Sequence, residues 1–339
     1  MKEKEQKYIL LDHGSGGLAT QQLVSELFLP YLRNPYLEKL EDSAELTLAN
    51  GQIAFTTDTY VVDPIFFPGG DIGSLAVYGT VNDLCVKGAS PLYISLALVL
   101  EEGLKIDHLK KIIASIANAA KCCNVKVVTG DTKVVPKGKA DKIFINTSGI
   151  GLLSDFRFSP LNIAVGDVII VSGSLGDHGV TILTQREGLS IDTNLKSDSQ
   201  PLHKLIDKVV KDLGNKVHAM RDPTRGGLAT CLCEMSQAAN VEIELDEASL
   251  PIRQEVEAAC EVLGLDPLYL ANEGKAVFFV DSNYAQRALE IIRDFSIGKD
   301  ANIIGRVIDK GSSRVLLKTL IGGKRIIEPL SGEPLPRIC

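Results

Sequence analysis

The sequence predicts an α/β (α+β) chain of two domains with an extended C-terminal tail. Three observations carry that prediction. At 339 residues the chain is too long for one ordinary core. Apolar runs of strand length alternate with helical spacings through most of it. Its final stretch holds Gly322, Gly323, Pro329, Gly332, Pro334 and Pro336, a density foreign to ordinary core. The hydrophobic share of 45% and charged share of 23% are those of a soluble globular protein. A net charge of -7 with acids and bases interspersed argues against nucleic-acid binding. No apolar run reaches the roughly 18 residues needed to span a bilayer, so no membrane partner is expected. The first seven residues are mostly charged and lack the apolar region of a signal peptide, so a cytoplasmic location is expected.

In chain order, residues 8–12 read as a short strand, and His13-Gly14-Ser15-Gly16-Gly17 as a loop. Helical spacing over 18–29 runs to Pro30. Residues 53–57 predict a strand, 72–87 a largely apolar helix ending at Gly88, and 92–100 a buried strand. An amphipathic helix over 106–123 follows, then strands at 125–129 and 143–152 on either side of a turn-rich link. This first domain is placed at 1–154. The second, at 155–322, shows strands at 167–172, 241–245, 276–280 and 301–307. Its helices begin at 180 and cover 202–213, 226–239, 252–263 and 285–295. Residues 323–339 form the tail, entered through a Gly322-Gly323 hinge. Proline lacks a donor and fixes φ, so the tail should be neither helix nor central strand. As an extended arm it reaches about 50 Å, with the thiol of Cys339 at its tip.

Seven cysteines include no C-x-x-C pair. Six lie in apolar segments and read as small core residues. Cys339 is the exception, a candidate carrier or nucleophile.

The first domain ends several segments in acids: Asp42, Asp58 after Thr56-Thr57, and Asp131 in Gly130-Asp131-Thr132-Lys133. Asp83 differs: it sits in an apolar helix beside Asn82, where a lone charge is costly unless paired or coordinated. Carboxylates converging on one spot repel one another. Mg²⁺ resolves that, and it commonly brings nucleotide phosphates. Each acid could equally be a cap or turn residue. Phosphate needs donors, and Gly14-Ser15-Gly16-Gly17 before a helix offers backbone N–H groups. Asp222-Pro223-Thr224-Arg225-Gly226-Gly227 enters another helix and reads as a cap or an anion site. Lys133 and Glu273 are the further candidates, and either could be plain surface charge.

Taken together, these segments resemble the PurM-like ATP-binding superfamily, which includes aminoimidazole ribotide synthetase. Within it the Asp12-His13-Gly14-Ser15-Gly16-Gly17 start, the Met220–Gly227 turn and the Pro336-Arg337-Ile338-Cys339 end are most similar to the HypE family. The resemblance implies a two-domain PurM-like fold, a homodimer built by the first domains, and ATP with Mg²⁺ as cofactors. It implies metal contacts from Asp42, Asp58, Asp83 and Asp131. Nucleotide contacts are implied for Gly14, Ser15, Gly16, Gly17, Thr57, Asn82, Thr132, Asp222, Thr224, Arg225, Gly226 and Gly227. It implies that a carbamoyltransferase, HypF, loads the Cys339 sulfur, that ATP-dependent dehydration gives a thiocyanate, and that the HypC–HypD complex takes the cyano group to the iron of [NiFe]-hydrogenase. Lys133 and Glu273 match the proton-relay positions. Two other expectations stay open: a small-molecule kinase or synthetase of the same superfamily, and a non-enzymatic carrier.

Overall fold

The computed structural model describes residues 7–14, 18–39, 44, 46, 48, 51–186, 194–331 and 337–339. The first domain opens with helix α1 (Leu18–Leu23), a π turn at Val24–Phe28 and α2 (Leu29–Leu32). Its strands are β1 (Ile53–Tyr60), the two-residue β2 (Phe66–Phe67) and β3 (Gly70–Asp71), β4 (Ala89–Glu101), β5 (Lys126–Val135) and β6 (Ile143–Leu153). Helices α3 (Ile72–Val86) and α4 (Ile106–Cys123) cover one face of a four-stranded sheet of order β1-β6-β4-β5. On α4 the buried residues Leu109, Ile112, Ile113, Ile116 and Ala120 recur at helical spacing, and Asn124 ends the helix in a left-handed turn. Helix α3 starts at a capping box between Asp71 and Ser74 and is apolar nearly all round, as a helix buried on several sides must be.

The second domain holds β7 (Val168–Val171), α5 (Asp177–Arg186), α6 (His203–Leu213), β8 (Val217–Arg221), α7 (Gly227–Ala239) and β9 (Val241–Asp246). Then come α8 (Gln254–Leu263), β10 (Val277–Val280), α9 (Ala285–Arg293), β11 (Asn302–Lys310), β12 (Val315–Lys318) and β13 (Lys324–Ile327). The seven strands pair in the order β13-β12-β9-β11-β7-β10-β8. Both faces of this sheet are buried, so β10 reads Val-Phe-Phe-Val without alternation. Ile170 and Phe278 point into a core shared with α5, α6, α8, α9 and the first domain, while Ile169, Val277 and Phe279 face α7.

Several elements differ from expectation. Residues 8–12 form no strand: Tyr8 makes an isolated bridge to Lys105, and Leu11–Gly14 is a 3-10 turn. The N-terminal helix continues through Pro30, which falls in the first turn of α2, where a missing N–H costs little. Strand β5 runs to Val135, so Asp131 and Lys133 lie inside a strand rather than after one. Parallel pairing with β4, Ala97 opposite Asp131 and Val99 opposite Lys133, carries it past the polar residues. Gly322-Gly323 is the turn of the β12–β13 hairpin, with Thr319 N donating to Gly323 O at 2.9 Å, and residues 324–327 are an edge strand. Residues 328–331, which follow the hairpin, form neither helix nor strand.

Candidate active site

A pocket between the two domains gathers Asp58, Thr59, Tyr60 and Gly79 with Asp83, Asp222, Thr224, Arg225, Glu273 and Cys339. Strand alternation builds its first wall: Thr56, Asp58 and Tyr60 face inward from β1 while Phe55 and Thr57 face out. The Thr56 hydroxyl donates to Asp83 Oδ2 at 2.7 Å, and Tyr60 Oη donates to Asp58 Oδ2 at 3.3 Å. Gly79 lets the Tyr60 ring cross α3, because a Cβ there would collide with the hydroxyl. The second wall is the turn before α7. Gly226 and Gly227 both have positive φ, and a Cβ on Gly227 would run into the carbonyls of Leu268 and Leu270. Only glycine lets Asp222, Thr224 and Arg225 approach the pocket at that angle.

The floor is Glu273, in the segment before β10 and 3% exposed. Its main chain is pinned from both domains. Asn82 Nδ2 donates to Glu273 O at 3.2 Å, and Glu273 N donates to Asp198 Oδ1 at 3.0 Å. Asp198 is itself held by a buried ion pair with Lys275 at 3.2 Å. Burial, helped by the charges of Asp198, Asp222 and Asp58, pushes the Glu273 carboxyl up to about 8. Burial, then the charges of Asp222 and Asp58, pushes Asp83 to about 7. Burial likewise raises Asp222, to about 6.

The end of the chain enters this pocket. The Cys339 thiol lines this pocket beside Glu273; burial, then the charge of Glu273, push the thiol well above its ordinary value, against the pull of Arg225. With the tail docked, about 40 Å³ of open volume remains in this pocket, room for a water.

Both domains match known families. Residues 40–153 match the family described as AIR synthase related protein, N-terminal domain, and 164–318 match its C-terminal domain. Carbamoyl dehydratase HypE of Azotobacter vinelandii is 47% identical over 328 residues, covering 96% of each chain. The chain belongs to the HypE family of carbamoyl dehydratases. A crystal structure of the hydrogenase maturation protein HypE in complex with ATP superposes with a TM-score of 0.94 at 47% identity, covering 97% of this chain and 99% of that one. A HypE–HypF complex matches with a TM-score of 0.80 at 48% identity, covering 91% and 99%. The fold is thus the two-domain PurM-like one, and no helix among the described residues is long and apolar enough to cross a membrane.

The residues singled out in the sequence fall into five groups. Asp58, Asp83, Asp222, Thr224, Arg225, Glu273 and Cys339 meet in the pocket, with Gly226-Gly227 shaping its edge. Asp131, Thr132 and Lys133 sit on β5 with Gly14, lining a separate cavity of about 480 Å³. Three strand intervals separate β5 from β1, about 14 Å. Thr57 faces the opposite side of the sheet, where it bonds Ser148 Oγ at 2.9 Å. Asn82 is 1% exposed and its amide is occupied by protein: Nδ2 donates to Gln200 O and Glu273 O, and Oδ1 accepts from Leu202 N. Asp42, Ser15, Gly16 and Gly17 lie outside the described residues.

Among the described residues no three His, Cys, Asp or Glu converge tightly enough to hold a metal ion. The adjacent carboxyls Asp58 and Asp83 nonetheless suit Mg²⁺, which commonly takes one or two protein carboxylates and completes its shell with phosphates and water. Sequence reasoning missed Tyr60, Asp198 and His178. The last two sit in buried segments and carry no motif of their own.

Proposed function

We propose that the chain dehydrates a carbamoyl group carried on its own Cys339 sulfur and so makes an S-cyano cysteine, the source of a cyanide ligand for the iron of [NiFe]-hydrogenase. The observation that carries this reading is the thiol of Cys339 against Glu273 inside a pocket of carboxylates. The carbamoyl oxygen attacks the γ-phosphorus of ATP, ADP leaves, and one N–H proton is lost. The product is an imidate phosphate on sulfur. Its C–O bond then breaks, phosphate departs, the remaining N–H proton is lost, and S–C≡N remains. Amide oxygen is a poor leaving group and phosphate a good one, which is why the step needs ATP. Glu273, with a proton affinity close to neutral, suits repeated proton transfer beside the sulfur. Mg²⁺ held by Asp58 and Asp83 would neutralise phosphate charge. Arg225 adds positive charge beside the thiol.

Lys133 and Asp131 lie too far away within one chain, so the reading includes a homodimer. The outer face of the first sheet exposes Ile53 at 45% and Phe55 at 67%, an apolar face that a second copy would cover. HypF as carbamoyl donor is supported by the solved HypE–HypF complex of a relative. HypC–HypD is proposed as the cyano acceptor. All seven cysteines are unpaired, which supports the reducing cytoplasm as the location.

The test is intact-mass measurement of the chain after incubation with the carbamoyl donor system and then Mg·ATP. The expected result is a carbamoyl adduct on the C-terminal peptide that then loses one water. Cys339→Ala gives neither. A stable carbamoyl adduct that ATP does not dehydrate would leave a carrier without this activity and overturn the proposal.

A further inference from the structure

The tail is gripped by its main chain, one residue before the thiol. Ile338 is 6% exposed, and its carbonyl lies 2.7 Å from His178 Nε2. His178 stands in the first turn of α5, fully buried, with the Phe67 ring edge-on at 5.6 Å. A carbonyl can only accept, so Nε2 carries a proton. Burial holds the imidazole neutral, which leaves Nδ1 as an acceptor. Ser197 Oγ donates to it at 2.8 Å and in turn accepts from Ser199 N at 3.1 Å. The bonds therefore run one way, from Ser199 through Ser197 and His178 to the tail. Farther out, Arg337 O accepts from Asp63 N and from Arg186 Nη2, and the Arg337 guanidinium pairs with Asp141. Neither His178 nor Ser197 lines the pocket that receives the sulfur.

We propose that His178, oriented by Ser197, is the positioning residue of the tail: it grips the carbonyl of residue 338 and so fixes the register of Cys339 against Glu273, whatever group the sulfur carries. A carbamoyl or cyano group changes residue 339 and leaves the carbonyl of 338 as it was, so the same grip serves each time the tail docks. A neutral hydrogen bond at residue 338, beside the contacts of Arg337, also suits a tail that must leave again. Its loss shifts the docked equilibrium by about three- to tenfold rather than by many orders. The inference rests on Cys339 as the carrier, but its first test does not.

That test uses the full chain with iodoacetamide alone, without donor or ATP, and follows each cysteine by peptide mass spectrometry. His178→Leu removes the donor at similar bulk. Ser197→Ala leaves the ring in place and removes its orienting partner. Alkylation of Cys339 is expected to rise about three- to tenfold in the first variant and less in the second. His178→Gln, which offers an amide donor, should return toward the native rate. Buried Cys85 and Cys260 should stay as slow as before in all three, since a general loosening would expose them too. An unchanged Cys339 rate in folded His178→Leu and Ser197→Ala overturns the proposal, as does a rise shared by Cys85 and Cys260. If His178→Leu does not fold, Ser197→Ala decides by the same criterion. ATP-dependent dehydration of the carbamoylated tail should slow in the same order while carbamoyl acceptance does not. If the thiol unlatches as expected but the native chain never dehydrates, the grip stands and the dehydration reading fails.

Discussion

Burial raises two carboxyls of the pocket, Glu273 and Asp83, toward neutral pH. Glu273 rises from an ordinary 4.5 to about 8, with burial as the main cause. Between those values the unfolded chain has released a proton that the folded chain keeps, so the contribution of Glu273 to stability falls as pH rises from about 4.5 to about 8 and is level above that. Asp83, raised from 3.8 to about 7, acts in the same sense. Glu273→Gln removes the slope by keeping the neutral form at every pH. Its melting temperature should exceed that of the native chain by a few degrees at pH 8, and the gap should close toward pH 4.5. Scanning fluorimetry without nucleotide or metal checks this. A gap that does not vary with pH would mean that Glu273 is ionised in the folded chain. Asp83 was legible in the sequence because a charge inside an apolar helix asks for an explanation. His178 was not. It looks like one more core position on α5, and the group it serves is a backbone carbonyl 160 positions away, which has no side-chain signature.

At the scale of elements, α3 does more than pack the first sheet. Asn82, beside Asp83, ties this helix to the segment before α6 through Leu202 N at 2.8 Å and Gln200 O at 3.1 Å, and to the segment before β10 through Glu273 O. The family resemblance implies a nucleotide contact for Asn82, and sequence alone does not separate that role from a buried interdomain pin. Asn82→Ala leaves buried carbonyls and an N–H without partners, so it should cost about 1–3 kcal/mol in denaturant unfolding. A nucleotide ligand would show the opposite pattern, with stability kept and ATP affinity lost. The helices α4 and α6 were legible nearly to the residue from their apolar spacing. Short strands such as β8 and β12 escaped, since four or five residues give too little alternation to separate from loop. Gly322-Gly323 reads as a hinge in sequence and is a hairpin turn in the structure, because glycine marks a tight turn and a flexible joint alike.

At the scale of the whole molecule, the candidate site is divided. Asp58, Asp83, Glu273 and Cys339 lie at the β1 edge of the first sheet, and Asp131, Thr132 and Lys133 at the β5 edge. A twofold axis running along the strands, with the exposed apolar faces together, would set the β5 edge of one copy beside the β1 edge of the other. Each complete site would then take Lys133 from one copy and the carboxylate pocket, with its tail, from the other. This arrangement makes a prediction that no single-chain site makes. Lys133→Ala and Asp83→Asn chains should each fail to dehydrate a carbamoylated tail. Mixed and allowed to exchange, they form heterodimers with one doubly damaged site and one native site, so about a quarter of the native activity per chain should return under random exchange. The cyano group should appear on the Lys133→Ala chain, whose own Asp83 and Glu273 are intact and whose missing lysine is supplied across the interface. Mass spectrometry separates the two chains by their substitutions. No recovery on mixing, with exchange verified by sedimentation, would place Lys133 outside a shared site, and cyanation on the Asp83→Asn chain would reverse the assignment of which copy supplies the pocket.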